Sequence, residues 1–191
     1  TFSFTDADAL VAFAEAHDME VRGHALVWHN QNPAWLSSGN RTRAQMIEIL
    51  EHHITTVVGR YKGRVAAWDV VNEAVADDGS LRNTIWLQAI GPEYLDIAFR
   101  AAHAADPDAL LFYNDYGAEG SGRKSDAVYE LVTGLQARGV PVHGVGLQMH
   151  VSTEYAPGAD QVAANMYRLG LAGLDVHVTE MDVRMPLPAS G

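Results

Sequence analysis

Five short apolar runs alternate with amphipathic windows, each run ends in polar residues, and no dinucleotide-type glycine pattern follows the first run. These observations predict an α/β fold on a parallel sheet, and within that class an incomplete TIM (β/α)8 barrel rather than a doubly wound sheet. The chain has 191 residues, 48% hydrophobic and 19% charged, a globular composition with room for a proper core. Asp+Glu 24 against Lys+Arg 13 leave a net charge of -11, so nucleic acid and an anionic membrane surface would both repel it. No run of ~18 apolar residues could span a bilayer, and the opening TFSFTDAD does not read as a signal peptide. Without cysteine, disulfides, thiolate nucleophiles and Cys-ligated zinc are excluded.

Taken in order, Thr5 reads as the N-cap of a helix over 6–17, with Asp6 and Asp8 in its acidic first turn. The first strand covers 21–28. A helix over 41–60 follows from Met46, Ile47, Leu50, Ile54, Val57 and Val58 at helical spacing, and the second strand covers 66–74. Pro92 opens a helix running to 105, and Pro107 lies just beyond its end. The remaining strands fall at 110–116, 144–152 and 175–183, with helices at 122–137 and 160–169 between them. No linker, low-complexity tract or charge block divides the chain, so 1–191 reads as one domain. The glycine clusters at 117–122 and 144–146 do not match G-x-G-x-x-G. Polar residues at the ends of all five strands fit loops that share one mouth, in a barrel lacking its first two strands and its last.

The second strand, Trp68-Asp69-Val70-Val71-Asn72-Glu73-Ala74, places Asp69, Val71 and Glu73 on one face by period-two alternation, with Asn72 at the exit. The last, Val176-His177-Val178-Thr179-Glu180-Met181-Asp182, places Val176, Val178, Glu180 and Asp182 together. Carboxylates inside a sheet are costly unless they stand in a polar mouth or serve chemistry. Two strand-end acids on different strands of one barrel meet the requirement of glycoside hydrolysis: one protonates the leaving oxygen and the other attacks or stabilises the anomeric carbon. His24 and Trp28 on the first strand and Gln148 and His150 on the fourth add neutral hydrogen-bonding groups and an aromatic face. A sugar, with hydroxyls around apolar C–H faces, is held by such groups together.

The segments VRGHALVWHNQNPAWL, WDVVNEAV, YNDY, GVGLQMHVS and HVTEMDV resemble glycoside hydrolase family ten, the β-1,4-xylanases with a TIM barrel, in family order across nearly the whole chain. The resemblance implies an endo-β-1,4-xylanase acting with retention of configuration, Glu73 as general acid/base and Glu180 as nucleophile. It implies that Asn72 bonds the sugar 2-hydroxyl, that His150 and Asp182 hold and tune the nucleophile, and that His24, Trp28, His29, Gln31 and Gln148 line sugar subsites. Tyr116 would contact the leaving-group side. No cofactor or metal is implied. The partners would be xylan and xylo-oligosaccharides, and the full-length protein a secreted monomer. In these terms the five strands are the third to seventh of eight, so contacts carried on the family's first two strands and last strand have no counterpart here. The isolated chain would then need not be active.

Three other readings compete. His143, His150 and His177 lie near strand ends beside Glu180 and Asp182, but no His-x-His occurs and strand parity turns His177 away from Glu180, which disfavours a metal-dependent hydrolase. A catalytically dead sugar-binding module is opposed by the presence of both glutamates. A barrel cellulase or mannanase shares the Asn-Glu and Glu pair, whereas GHALVWH and QMHVS favour xylanase.

Overall fold

The computed structural model describes residues 2–186. In chain order its elements are α1 (Thr5–Ala16), β1 (Arg22–Val27), α2 (Ala34–Ser37), α3 (Arg43–Arg60), β2 (Ala67–Asn72), α4 (Ile85–Ile90) and α5 (Tyr94–Ala105). There follow β3 (Leu110–Asp115), α6 (Arg123–Ala137), β4 (Gly144–Leu147), β5 (His150–Ser152), α7 (Ala159–Leu171), β6 (Asp175–Val178) and β7 (Asp182–Arg184). Strands β1, β2, β3, β4 and β6 form one parallel sheet in that order, and β5 pairs with β7 beside it. Successive parallel strands joined over helices make the βα units of a barrel wall.

Sheet and helices are held together by one apolar layer. Leu50, Ile54 and Val58 of α3, Ala98, Phe99 and Ala102 of α5, and Val132 and Leu135 of α6 are all fully buried. They share one core with Leu111, Tyr113, Val145 and Leu147 on the helix-facing side of the sheet. Each large side chain so buried contributes about 1.5–3 kcal/mol. The longest helix, α3, starts on a capping box: Thr42 accepts from Gln45 N–H at 3.3 Å, and the Gln45 side chain accepts from Thr42 N–H at 2.9 Å.

Several sequence expectations are corrected. Thr5 is the first helical residue of α1 and caps nothing; Phe4 precedes it with no side-chain cap. Pro92 lies in a turn, and α5 begins two residues later at Tyr94. The expected strand over 144–152 breaks into β4 and β5 because Met149 turns to φ 63. That over 175–183 likewise breaks into β6 and β7 around Glu180. The short helices α2 and α4 were not anticipated, since each is under two turns long and carries too little periodicity to read.

Alternation also fails inside β2. Asp69 is in register with Phe112 and Val71 with Tyr113, so Val70 is an extra residue bulged out of the ladder. Past the bulge the faces swap: Asp69 and Asn72 look into the barrel, and Val71 joins Tyr113 toward the helices. Val71 and Glu73 therefore do not share a face with Asp69 by simple parity. In β6, His177 pairs with Gly146 and packs on Phe112 inside the barrel, ring centres 4.4 Å apart, while Val176 packs against the helix-side core. The expected grouping of Val176 and Val178 with Glu180 is overturned, because the strand ends at Val178 before the carboxylate is presented.

Candidate active site

Glu73 stands just past the end of β2 at φ 57, in the left-handed region that a non-glycine side chain adopts only when its surroundings hold it there. Its N–H donates to the Asn114 carbonyl of β3 at 2.8 Å. Its carboxylate accepts from Trp28 Nε1 at 3.0 Å on one oxygen and from Gln148 Nε2 at 3.2 Å on the other. His29 Nδ1 lies 3.7 Å away. Burial, and then the Arg82 cation, push the His29 ring below its ordinary pKa against the pull of Glu73, which favours a neutral imidazole there. The Trp28 indole is set in turn by its own backbone, whose carbonyl accepts from Trp86 Nε1 at 3.1 Å and from the Asn32 amide at 3.1 Å.

Glu180 follows β6. Its Oε1 accepts from Asn114 Nδ2 at 2.8 Å and its Oε2 lies 3.3 Å from His150 Nε2. The other nitrogen of that ring, Nδ1, is 2.8 Å from Asp182 Oδ2, so His150 bridges two carboxylates. On the barrel side, His24 Nδ1 is 2.9 Å from Asp69 Oδ2 and 3.8 Å from Glu180 Oε1. The hydrogen bond to Asp69 holds the His24 pKa above its ordinary value, against the effect of burial. Asp69 also takes Arg22 at 2.5 Å and 3.3 Å, and Arg22 lies 4.4 Å over the Phe112 ring, with its Nη1 2.9 Å from His177 Nδ1.

Three amides join the two carboxylates. Gln148 Nε2 donates to Asn72 Oδ1 at 3.2 Å as well as to Glu73, and Asn114 Nδ2 donates to Asn72 Oδ1 at 2.9 Å as well as to Glu180. Thr179 Oγ1 donates to Asn114 Oδ1 at 2.8 Å, which fixes which end of that amide is oxygen. Turning the Asn72 amide over would gain the Asn114 carbonyl at 3.3 Å and the Trp28 indole, but that indole already has Glu73, and the Asn72 nitrogen would then sit 2.9 Å and 3.2 Å from two other amide nitrogens. The orientation with Oδ1 central is therefore the satisfied one. The chain Glu73–Gln148–Asn72–Asn114–Glu180 places both acids at one mouth, with Gln148, Asn72 and Asn114 buried beneath them.

Of the residues singled out in the sequence, Glu73, Trp28, His29, Asn72 and Gln148 gather around one carboxylate, and Glu180, His150, Asp182 and His24 around the other. Tyr116 stands behind Glu73, its hydroxyl accepting from Arg82 Nη2 at 3.0 Å. Gln31 is exposed at φ 54. Thr179 and Arg82 lie outside the sequence candidates, and Asn114 enters them only as part of YNDY. For Asn114 the signal was present in YNDY, at the register position opposite Asn72; Arg82 has no motif around it. Among the described residues no group of three His, Asp or Glu is arranged to hold a metal ion.

A parallel barrel wall with two glutamates at its mouth, linked by buried amides and flanked by imidazoles and an indole, defines a TIM-barrel-type protein with a two-carboxylate site. The Glycosyl hydrolase family 10 profile matches residues 1–190, and the chain belongs to that family. It is 44% identical over 189 residues to endo-1,4-beta-xylanase B of Thermotoga neapolitana, covering 99% of this chain and 54% of that protein. The crystal structure of xylanase 10B from Thermotoga petrophila RKU-1 in complex with xylobiose superposes with TM-score 0.96 at 47% identity, over 100% of this chain and 58% of that one. An intracellular xylanase, TsXylA of Thermoanaerobacterium saccharolyticum, gives TM-score 0.93 at 42% identity, over 100% of this chain and 62% of that one. The chain thus spans just over half the length of these relatives.

Proposed function

We propose that the protein is an endo-1,4-β-xylanase that cleaves internal xylosidic bonds of xylan with retention of configuration. The amide chain between Glu73 and Glu180 carries this reading, because it sets two carboxyls at one mouth with different partners. Retaining glycosidases hold their carboxyls ~5–5.5 Å apart and use one as nucleophile. In the first step a Glu180 oxygen bonds to the anomeric carbon, the glycosidic C–O bond breaks, and the leaving oxygen takes the Glu73 proton. In the second, Glu73 removes a proton from water, the water oxygen bonds to the same carbon, and the ester to Glu180 breaks. Having given its proton to the leaving oxygen in the first step, Glu73 is a free carboxylate in the intermediate and can serve as the base of the second. In this reading Asn72 bonds the 2-hydroxyl, and Trp28 and His24 line the ring held by Glu180.

Xylan and xylo-oligosaccharides are the proposed substrates, and 1–191 the proposed extent of one partial catalytic domain. Secretion does not come with family membership, since TsXylA is described as intracellular. Reducing-sugar release should be fastest from xylan. Faster release from cellulose or mannan, or binding of xylo-oligosaccharide without turnover, would refute the activity proposed.

A further inference from the structure

A side-chain cluster behind Glu73 takes no part in either chemical step. Lys124, in the first turn of α6, is only 6% exposed. Its ammonium lies 3.0 Å from Asp115 Oδ1, 3.2 Å from Asp77 Oδ1 and 3.3 Å from the centre of the Tyr116 ring. Asp115, fully buried at the end of β3, accepts from the Tyr116 N–H at 2.9 Å, from the Tyr113 hydroxyl, and from the Val75 N–H at 3.4 Å. The Val75 N–H also donates to Tyr113 Oη at 3.0 Å. From the other side Arg82 donates to the Glu73 carbonyl at 2.9 Å, the Val75 carbonyl at 3.3 Å and the Tyr116 hydroxyl at 3.0 Å. The backbone that leaves Glu73 and the ring of Tyr116 therefore meet at one buried ammonium–carboxylate pair.

Stability does not explain the pair by itself, because buried ion pairs can often be replaced by apolar side chains at no loss. Its partners do. Asp77 belongs to the segment that follows Glu73, Tyr116 to the exit of β3, and Lys124 to the helix beyond, so one charge ties three chain segments around one half of the site. The ammonium covers one face of the Tyr116 ring, which fixes the ring plane. It also offsets the burial that raises the pKa of Asp115, keeping that carboxylate available as an acceptor for the Val75 and Tyr116 N–H groups.

We propose that Lys124 is a positioning residue for the leaving-group half of the site, holding the Tyr116 ring and, through Asp115 and the Val75 N–H, the backbone that carries Glu73. The proposal rests on Glu73 being the general acid. A carboxyl displaced by about 1 Å can cost on the order of 10²-fold in rate, and only substrates that need protonation should feel it.

The test compares Lys124→Met with the wild type on two substrates, a xylo-oligosaccharide and a dinitrophenyl β-xylobioside. The dinitrophenolate leaves without protonation. We expect kcat/KM on the oligosaccharide to fall roughly 10- to 100-fold and that on the aryl glycoside to change by less than about 3-fold. Equal losses on both substrates, or no loss on either, would overturn the proposal. Wild-type turnover of the two substrates tests the underlying reading separately, because the Lys124 effect is a ratio between them. Should Lys124→Met fail to fold, Asp77→Asn alters only a carboxylate whose side chain is 77% exposed. The same selectivity at smaller size, about 3-fold, supports the role; an unselective or absent effect in Asp77→Asn overturns it.

Discussion

Because Thr179 fixes the Asn114 oxygen, the nitrogen of that amide must face Asn72 and Glu180 together. Glu180 thus meets an N–H and an imidazole, while Glu73 meets an indole N–H and an amide N–H. If the roles differ as proposed, substitution separates them. Glu180→Ala should abolish hydrolysis of every substrate. Glu73→Ala should leave formation of the glycosyl–enzyme nearly intact for good leaving groups and slow its hydrolysis, visible as a burst of released phenol; equal losses across leaving groups contradict the assignment. His24 supplies a second residue-scale test. Its pKa is raised in the fold by Asp69, so its contribution to stability is complete below the unfolded value near 6.5 and fades as pH rises through the folded value. The melting temperature of His24→Asn should lie furthest below the wild type under about pH 6.5 and approach it as pH rises beyond that. A gap that is flat with pH would rule out the Asp69 linkage.

Elements were legible where their signal is local. The apolar stripe of α3 and the five runs of apolar residues marked helix and strands, and the Asn-Glu pair marked the exit of β2. What alternation could not carry was the bulge at Val70. One extra residue reverses which side chains enter the barrel, and nothing in a run of two valines shows where the ladder skips. Likewise the left-handed turns at Glu73 and Met149 are held by tertiary hydrogen bonds, Glu73 by Asn114 and Met149 by Glu119 Oε1 at 2.9 Å, which no local propensity encodes. The glycines of β4 have a reason of this long-range kind as well. A Cβ on Gly144 would meet the Phe112 ring at 2.3 Å, and one on Gly146 would meet Asn114 Oδ1 at 2.2 Å. The strand is bare so that the amide hub of the neighbouring strand can turn inward. Gly146→Ala should therefore destabilise by about 1–3 kcal/mol and lower kcat/KM by at least about tenfold, as Asn114 is pushed off Glu180. Gly59, in the last turn of α3 with open space around it, is the control: Gly59→Ala should raise stability by roughly 0.5–1 kcal/mol and leave activity unchanged, as read from denaturant midpoints and initial rates. Unchanged activity in Gly146→Ala would mean that the hub tolerates displacement.

At the scale of the whole molecule, the described sheet runs β1-β2-β3-β4-β6 and does not close on itself. Its outer strands each present an unpaired edge, and Val178, on the helix-facing side at the end of β6, is 45% exposed. The flanking helices repeat the pattern: Leu10 and Phe13 of α1 and Tyr167 and Leu171 of α7 are more than half exposed. In the T. petrophila xylanase the matched part is 58% of a longer chain, so its counterpart of this sheet belongs to a larger protein. Unpaired parallel edges and apolar helix faces are templates for association. Net charge -11 opposes that association at low ionic strength and is screened within about 10 Å at 0.1 M salt. The 191-residue polypeptide expressed by itself should sediment as a monomer–oligomer mixture at tens of micromolar, shift toward oligomer as salt is raised, and bind an apolar dye. Monomeric sedimentation at both salt levels without dye binding would show that these edges and faces are protected, and that five strands suffice for a self-contained unit.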